Sequence, residues 1–122
     1  MKVGIAGAGG IGSNVAAYLA RGGVRRFKLV DYDRVEESNL NRQFYFRDQI
    51  GRFKVAMLAE NLLRIAPAAE IEQRVGRLDS ASMAACFDDC DVVVEGFDGK
   101  EDKKLLLEAL APGGRTIVGA SG

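Results

Sequence analysis

The glycine-rich segment Gly7–Gly12, with the sequence G-A-G-G-I-G, restricts the possible folds of this chain more than any other feature. It follows a short apolar run, Lys2–Ala6, that is typical of a buried strand. It precedes a stretch with helical apolar spacing, Ile11–Arg21, which Gly22 and Gly23 end. Glycines between a strand and a helix permit a tight turn and close approach of another backbone or of a phosphate. The segment therefore predicts the first strand-turn-helix unit of a doubly wound α/β sheet.

The rest of the chain continues this alternation of short β-rich runs and helical stretches. Further predicted strands are Phe27–Val30, Glu70–Val75, Asp91–Val94 and Thr116–Val118; further predicted helices are Phe53–Ala66, Ser80–Phe87 and Lys103–Leu110. The alternating run at Glu70–Val75 favours a position near a sheet edge, whereas the apolar run at Asp91–Val94 favours a central one. The order predicts a Rossmann-like, mainly parallel sheet with right-handed crossovers.

Residues 1–122 are enough for one domain with a modest core. The last predicted strand is followed at once by Gly119–Gly122, where a functional loop begins in a parallel sheet. We therefore expect residues 1–122 to be the N-terminal portion of a longer protein.

Composition excludes several classes of site. The chain has no histidine, which excludes a Ser-His-Asp triad, a Cys-His pair and a His-ligated metal built from this chain alone. Lys plus Arg and Asp plus Glu are each 17, so bulk electrostatic binding to nucleic acid or to an anionic membrane is not expected. Cys86 and Cys90, the two cysteines, are interpreted as packing residues. The start Met1–Ala6 runs into glycines too soon for a signal peptide, so a cytoplasmic location is the default expectation.

The segment Asp31–Gln43, with the sequence D-Y-D-R-V-E-E-S-N-L-N-R-Q, discriminates between functions. Asp31 lies 19 residues beyond Gly12, where a carboxylate can accept hydrogen bonds from ribose hydroxyls. Glycines and this aspartate alone also fit a nicotinamide-dependent oxidoreductase, or a turn that merely packs a helix on a strand. An arginine and an amide just past a strand end can in addition hold a triphosphate, since guanidinium forks onto two phosphate oxygens. The segment lies in a long polar connection, Tyr32–Gly51, which is predicted to hold only short helical turns.

At this point the chain resembles the ThiF/MoeB-type adenylyltransferases of sulfur-carrier proteins, which are relatives of ubiquitin-activating enzymes. The matching stretches are G-A-G-G-I-G-S, L-V-D-Y-D-R-V-E-E-S-N-L-N-R-Q, I-G-R-F-K-V and V-V-V-E-G-F-D-G, and they cover nearly the whole chain. E-G-F-D together with G-A-S-G is similar to the shorter, ThiF-like branch. The resemblance implies that the C-terminal carboxylate of a small ubiquitin-like carrier, of the ThiS/MoaD type, attacks the α-phosphate of ATP. Pyrophosphate leaves, and a carrier acyl-adenylate forms. The resemblance also implies a homodimer that shares its sites.

The resemblance implies a role for each matching residue. ATP would be bound by Gly7, Gly9, Gly10, Gly12, Asp31, Asp33, Asn39, Arg42, Gln43 and Lys54; the catalytic residues would be Arg42, Lys54 and Asp98, with Mg²⁺ at Asp98. For each of the last three a plainer interpretation stays open: a solvated loop arginine, a surface lysine, and an N-cap on a helix beginning near Gly99. Asp33 supports the ribose site or caps the loop, and the two are ranked equally. The aromatic run Phe44–Phe46 fits loop packing, or a dimer or carrier contact.

Two positions depart from the family pattern. Gly99 stands where an asparagine is usual, and Lys103 where an arginine is usual, so the resemblance does not imply contacts from these two side chains. Relatives often complete the ATP site with an arginine from a partner subunit's N-terminal helix, whereas here Met1 leads directly into the first predicted strand. We expect this chain alone to bind nucleotide better than it turns it over. A non-catalytic module that binds nucleotide or docks a partner is the other alternative.

Overall fold

A computed structural model of the protein describes residues 1–113 and 116–119. The strands are β1 (Lys2–Ala6), β2 (Arg26–Asp31), β3 (Glu70–Val75), β4 (Val92–Glu95) and β5 (Thr116–Gly119); the helices are α1 (Gly10–Arg21), α2 (Lys54–Ile65), α3 (Ser80–Cys86) and α4 (Lys100–Leu110). The strands form one parallel sheet in the order β3-β2-β1-β4-β5. The strand order reverses at β1, so the glycine turn that follows β1 lies at a topological switch point, where open α/β sheets bind ligands.

The structure confirms the predicted Rossmann-like sheet, with β3 at an edge and β4 inside. One boundary was wrong by a full turn, because α4 begins at Lys100 and not at Lys103. Gly99 has an extended backbone and serves as the N-cap, and Glu101 and Asp102 complement the helix dipole in the first turn. This first turn contains no apolar residue, which is why hydrophobic spacing did not reveal it. Residues Ala120–Gly122 of the predicted loop lie outside the described residues.

Two hydrophobic clusters cover the two faces of the sheet. Helices α1 and α2 pack over Val3 and Ile5 of β1, whereas α3 and α4 pack over Ala6 on the other face. Cys86 and Cys90 are buried free thiols in the second cluster, in agreement with a packing role. Burial raises the pKa of Cys90 to about 11, so this thiol is protonated at neutral pH.

The long connection between β2 and α2 contains two short 3₁₀ turns, Glu37–Asn39 and Arg47–Gln49, as predicted. Helices α1 and α2, which cover the same face of the sheet, hold this connection in place. The backbone N–H of Phe44 donates to Oγ of Ser13 on α1 (3.0 Å), and its carbonyl accepts from Nδ2 of Asn61 on α2 (2.9 Å). A segment held on both sides in this way is a rigid support for the side chains just before it, Arg42 and Gln43.

A compact group of charges bridges three strands on the α3 side of the sheet. Nζ of Lys2 is paired with Glu72 and with Asp89 (2.6 Å), and Nζ of Lys28 is 2.7 Å from Asp89. The hydrogen bonds from the two lysines hold the pKa of Asp89 well below its usual range. In the part of the chain that the structure describes, no helix is long and apolar enough to cross a membrane.

Candidate nucleotide-binding site

Two adjoining cavities open at the carboxyl ends of β1, β2 and β4. The turn cavity, of about 30 Å³, is lined by Gly7, Gly9, Asp31, Tyr32, Asp33, Gly96, Phe97 and Asp98. The loop cavity, of about 240 Å³, is lined by Asp33, Arg34, Glu36, Asn39, Arg42, Gln43, Lys54 and Asp98. Because Asp33 and Asp98 line both, the cavities form one continuous site beside the glycine turn.

Three side chains that are remote along the chain meet in the loop cavity. Arg42 comes from the connection, Lys54 from the start of α2, and Asp98 from the segment after β4. This is the convergence that a shared triphosphate site requires. Gly99 and Lys103, the two departures from the family pattern, line neither cavity.

The four glycines of the turn have different physical reasons to be glycine. Gly7 has φ +97°, and a Cβ there would lie 2.7 Å from the carbonyl of Gly96. A Cβ on Gly12 would lie 1.8 Å from the carbonyl oxygen of Gly7. In contrast, a Cβ on Gly9 would meet Asp98 Oδ2 no closer than 3.6 Å, and one on Gly10 would meet nothing within 4 Å. Gly7 and Gly12 therefore permit backbone packing, while the surface over Gly9 and Gly10 is open to a ligand.

Asp31 anchors the glycine turn. Its carboxylate is 7% exposed; Oδ2 accepts from the N–H of Ala8 (2.6 Å), and Oδ1 accepts from those of Tyr32 and Asp33 (2.6 and 2.9 Å). A carboxylate can accept about four hydrogen bonds, so one position remains on Oδ2. The geometry therefore leaves room for one hydroxyl donor at Asp31.

Lys54 is a buried cation at an unfavourable place. It is the first residue of α2 and only 4% exposed, so its charge faces the positive end of the helix dipole. Its one ion pair in the described ranges is a long one, with Asp33 Oδ2 at 3.9 Å. Burial, together with the negative charge of Asp31, raises the pKa of Asp33. The interpretation of Lys54 as an ordinary surface lysine is wrong, since its side chain is enclosed and lines the loop cavity.

The asparagine, arginine and glutamine of the connection differ in how they are held. Oδ1 of Asn39 accepts from the N–H of Glu36 (2.8 Å) and caps the 3₁₀ turn, which leaves its NH₂ group as the donor. One nitrogen of the exposed Arg42 donates to the carbonyl of Ser38 (2.9 Å) and to Oδ1 of Asn41 (3.0 Å). Gln43 is buried, and its Oε1 accepts no hydrogen bond from the described residues. Because this oxygen is an acceptor, a ligand would have to bring a donor to it, and a phosphate oxygen can contact only the NH₂ group of Gln43.

Asp98 is an unpaired carboxylate. The N-cap of α4 is Gly99, so the alternative role of Asp98 as a helix cap is wrong. Within residues 1–113 and 116–119 its carboxylate has no hydrogen bond or ion pair, and no group of three or more potential ligand side chains forms a protein-only metal site. One or two carboxylates combined with substrate phosphates is the usual donor set for Mg²⁺, so Asp98 fits that ion.

Sequence reasoning did not single out Tyr32, Gly96 and Phe97, which line the turn cavity. Their positions directly after β2 and β4 were the available signal, because carboxyl ends of parallel strands share one edge. It also did not separate Tyr45 from its aromatic neighbours. Tyr45 is buried, and its hydroxyl donates to the carbonyl of Ala8 (2.6 Å), whereas Phe46 is 46% exposed.

Comparison with known proteins identifies relatives of this chain. The ThiF family matches residues 1–122. The adenylyltransferase and sulfurtransferase UBA4 of Eremothecium gossypii is 34% identical over 122 residues, which are 99% of this chain and 28% of that protein. The adenylyltransferase and sulfurtransferase MOCS3 of Sus scrofa is 38% identical over 118 residues, 96% of this chain and 26% of that protein.

Among solved structures, the tRNA N6-threonylcarbamoyladenosine dehydratase TcdA of E. coli in complex with ATP aligns with a TM-score of 0.93 and 27% identity. The alignment covers 99% of this chain and 51% of that chain. The present chain thus spans about a quarter of the curated relatives and about half of the structural neighbour. The match over its whole length, and the identity to two relatives over nearly all of it, establish that the chain belongs to the ThiF family.

Proposed function

We propose that this chain is the ATP-binding part of an adenylyltransferase that activates the C-terminal carboxylate of a small ubiquitin-like sulfur-carrier protein. The observation that carries the proposal is the convergence of Arg42, Lys54 and Asp98 on one cavity beside the open face of Gly9 and Gly10. Support comes from relatives named adenylyltransferase and sulfurtransferase, and from a structural neighbour solved with ATP.

In this reaction one carboxylate oxygen attacks the α-phosphorus, the bond from that phosphorus to the bridging oxygen breaks, and pyrophosphate leaves with the electron pair. The attacking carboxylate is already ionised at neutral pH, since α-carboxyl groups have a pKa of about 3.5. No general base is needed, and the chemistry depends on positioning and on offsetting phosphate charge. The guanidinium of Arg42 and the ammonium of Lys54 supply that charge, and the N–H groups at the start of α1 supply a further positive end.

The remaining site residues hold the nucleotide. The open position on Oδ2 of Asp31 binds a ribose hydroxyl, and Asp33 lies between the ribose and phosphate regions. The NH₂ groups of Asn39 and Gln43 donate to phosphate oxygens. Asp98 would hold Mg²⁺, which when bound shields the phosphate charges from one another.

We further propose a homodimer. A groove of about 630 Å³ between α1, α2 and the connection is lined by Arg21, Phe44, Phe46, Asp48, Asn61, Arg64 and Ile65. The exposed Phe46 and the half-buried Phe44 lie beside two arginines there, and aromatic residues and arginine are enriched at protein interfaces. A carrier of the ThiS/MoaD type and a cytoplasmic location remain predictions from the sequence, and for the pathway we propose thiamine synthesis.

A second candidate acceptor is a tRNA, because the neighbour with a TM-score of 0.93 is named as a tRNA-modifying dehydratase. The zero formal net charge favours a protein substrate over a polyanion. The nicotinamide alternative from the sequence receives no support from these relatives.

The test is exchange between ATP and labelled pyrophosphate by the full-length protein, with either ubiquitin-like sulfur carriers or total tRNA added. Carrier-dependent exchange is expected, and it should fall about a hundredfold or more in Arg42→Ala, because a preorganised charge is lost. Arg42→Lys should not restore it, since a lysine cannot fork onto two phosphate oxygens.

Arg47→Ala is the matched control, because Arg47 is an exposed arginine of the same connection that pairs with the exposed Glu37 at 2.9 Å. Exchange that needs tRNA instead of a carrier would replace the proposed acceptor. Exchange that is unchanged in Arg42→Ala would overturn the proposed role of this residue.

A further inference from the structure

Tyr45 joins the connection to the glycine turn by a single buried hydrogen bond. Its side chain is 4% exposed, and its hydroxyl donates to the carbonyl of Ala8 at 2.6 Å, across 37 residues of sequence. Burial raises the pKa of this phenol, so it stays protonated and acts as a donor. Phenylalanine would fill the same space, so the packing of the core does not explain the hydroxyl.

The position of Tyr45 is fixed independently of this bond. The preceding residue, Phe44, is held through its N–H by Ser13 and through its carbonyl by Asn61. The N–H of Tyr45 itself donates to the carbonyl of Gln43 (2.8 Å). Helices α1 and α2 therefore fix the position of the Tyr45 hydroxyl, and its hydrogen bond in turn holds the glycine turn in place.

The geometry of the peptide group shows what this hydrogen bond controls. The bond between Ala8 and Gly9 is trans and planar, so its C=O and N–H point in opposite directions. With the carbonyl of Ala8 directed to Tyr45 in the core, the N–H of Gly9 is directed away from the core. On the other side of Ala8, its own N–H is held by Asp31 (2.6 Å). Both peptide groups of Ala8 are thus fixed.

The opposite orientation of this peptide would oppose phosphate binding. If the Ala8–Gly9 peptide turned over, its carbonyl oxygen would face the cavity in place of an N–H donor, and it would repel a phosphate. Such a rotation changes ψ of Ala8 and φ of Gly9, and a glycine accepts a change of φ with little steric penalty. A specific contact is needed to hold the productive orientation.

We propose that Tyr45 is a positioning residue that keeps the N–H of Gly9 directed at the phosphates of the bound nucleotide. This inference rests on the proposed function of the site. It predicts that the Tyr45 hydroxyl raises the affinity for ligands that carry phosphates and does not change the affinity for a nucleoside.

The test uses Tyr45→Phe in the full-length protein, with ATP affinity measured by calorimetry and adenosine affinity by competition. We expect ATP to bind about tenfold more weakly, the effect of one hydrogen bond and one misdirected carbonyl, and adenosine to bind as in the wild type. Tyr18→Phe is the matched control, because it removes the hydroxyl of an exposed tyrosine on α1. Circular dichroism establishes that the variants are folded, and an osmolyte such as TMAO in the cold keeps Tyr45→Phe folded if its stability is low.

A second readout follows the turn directly. NMR relaxation dispersion at the amides of Gly9 and Gly10 in the free protein should show added microsecond-to-millisecond exchange in Tyr45→Phe, while the amides of α2 are unchanged. Equal weakening of ATP and adenosine, or unchanged ATP affinity, would overturn the inference and leave the proposed function intact. A wild-type protein that binds neither ligand would overturn the proposed function itself.

Discussion

Replacing Lys54 by methionine should stabilise the free protein and at the same time weaken ATP binding. Methionine keeps the length and apolar stem of lysine but removes the charge. In the free protein that charge is enclosed at the N-terminus of α2, with one carboxylate oxygen 3.9 Å away. With ATP bound, the same charge faces a polyanion. The two effects therefore have opposite signs.

The magnitudes follow from this environment. A cation at a helix N-terminus is unfavourable by about 0.3–1 kcal/mol. The ion pair with the half-exposed Asp33 stabilises the folded protein by at most about 1 kcal/mol. Moving the ammonium of Lys54 out of water costs more free energy than an ion pair of this length offsets. We expect the free energy of unfolding to rise by about 1 kcal/mol. Loss of a charged hydrogen bond to phosphate should weaken ATP binding about a hundredfold, or about 2.7 kcal/mol.

Urea unfolding of the full-length protein, with and without ATP and magnesium, measures both effects in one experiment. Lys104→Met is the matched control, since Lys104 is an exposed lysine that pairs with Glu108 on the surface of α4. The control should change neither stability nor affinity by more than about 0.5 kcal/mol. A Lys54→Met protein that is less stable when free, or that binds ATP as tightly as wild type, would refute the reasoning.

Two further predictions concern stability. Gly12→Ala places a Cβ 1.8 Å from the carbonyl oxygen of Gly7 and should lower the free energy of unfolding by about 3 kcal/mol or more. The Cβ of Gly10→Ala would meet nothing within 4 Å, so the stability of this variant should stay within about 1 kcal/mol of wild type. Thermal melting compares the two variants. Asp89→Asn should cost about 1 kcal/mol at neutral pH, a modest value because Asp89 is 47% exposed, even though its partner Lys2 is buried. Because the pKa of Asp89 is depressed in the folded protein, its contribution to stability is complete above the unfolded pKa of about 3.9 and is lost as the pH falls from there through the folded pKa. Urea titrations that show the same stability difference between wild type and Asp89→Asn at pH 3 and at pH 7 would contradict this.

The order of strands and helices could be predicted because it depends on local patterns. Apolar runs, glycines and prolines predict nearly every strand and helix. The number of residues between Gly12 and Asp31 places this aspartate at the end of a strand. The start of α4 was not predicted, because a helix turn that faces solvent has no periodic apolar residues. The amphipathic stretch that begins after it was visible.

The details of the site depend on contacts between distant segments, which a sequence pattern does not encode. That Asp31 uses three of its hydrogen-bonding positions on backbone N–H groups follows only once Ala8 is folded against it. The role of Gly99 as helix cap, which frees Asp98, depends on a backbone conformation. Likewise, only the fold distinguishes the buried Tyr45 from the exposed Phe46.

The charges around the loop cavity imply an energetic linkage between cation and nucleotide. Three acidic and three basic side chains line this cavity, so its formal charge is zero before any ligand enters. A bare triphosphate would bring about four negative charges next to those carboxylates, and a lone divalent cation would meet the neighbouring arginines and lysine. Each ligand relieves the repulsion that the other meets, and by reciprocity each must raise the affinity of the other by the same factor. If the site binds ATP and Mg²⁺ as proposed, its mixed charges favour the complex of ion and nucleotide over either component alone.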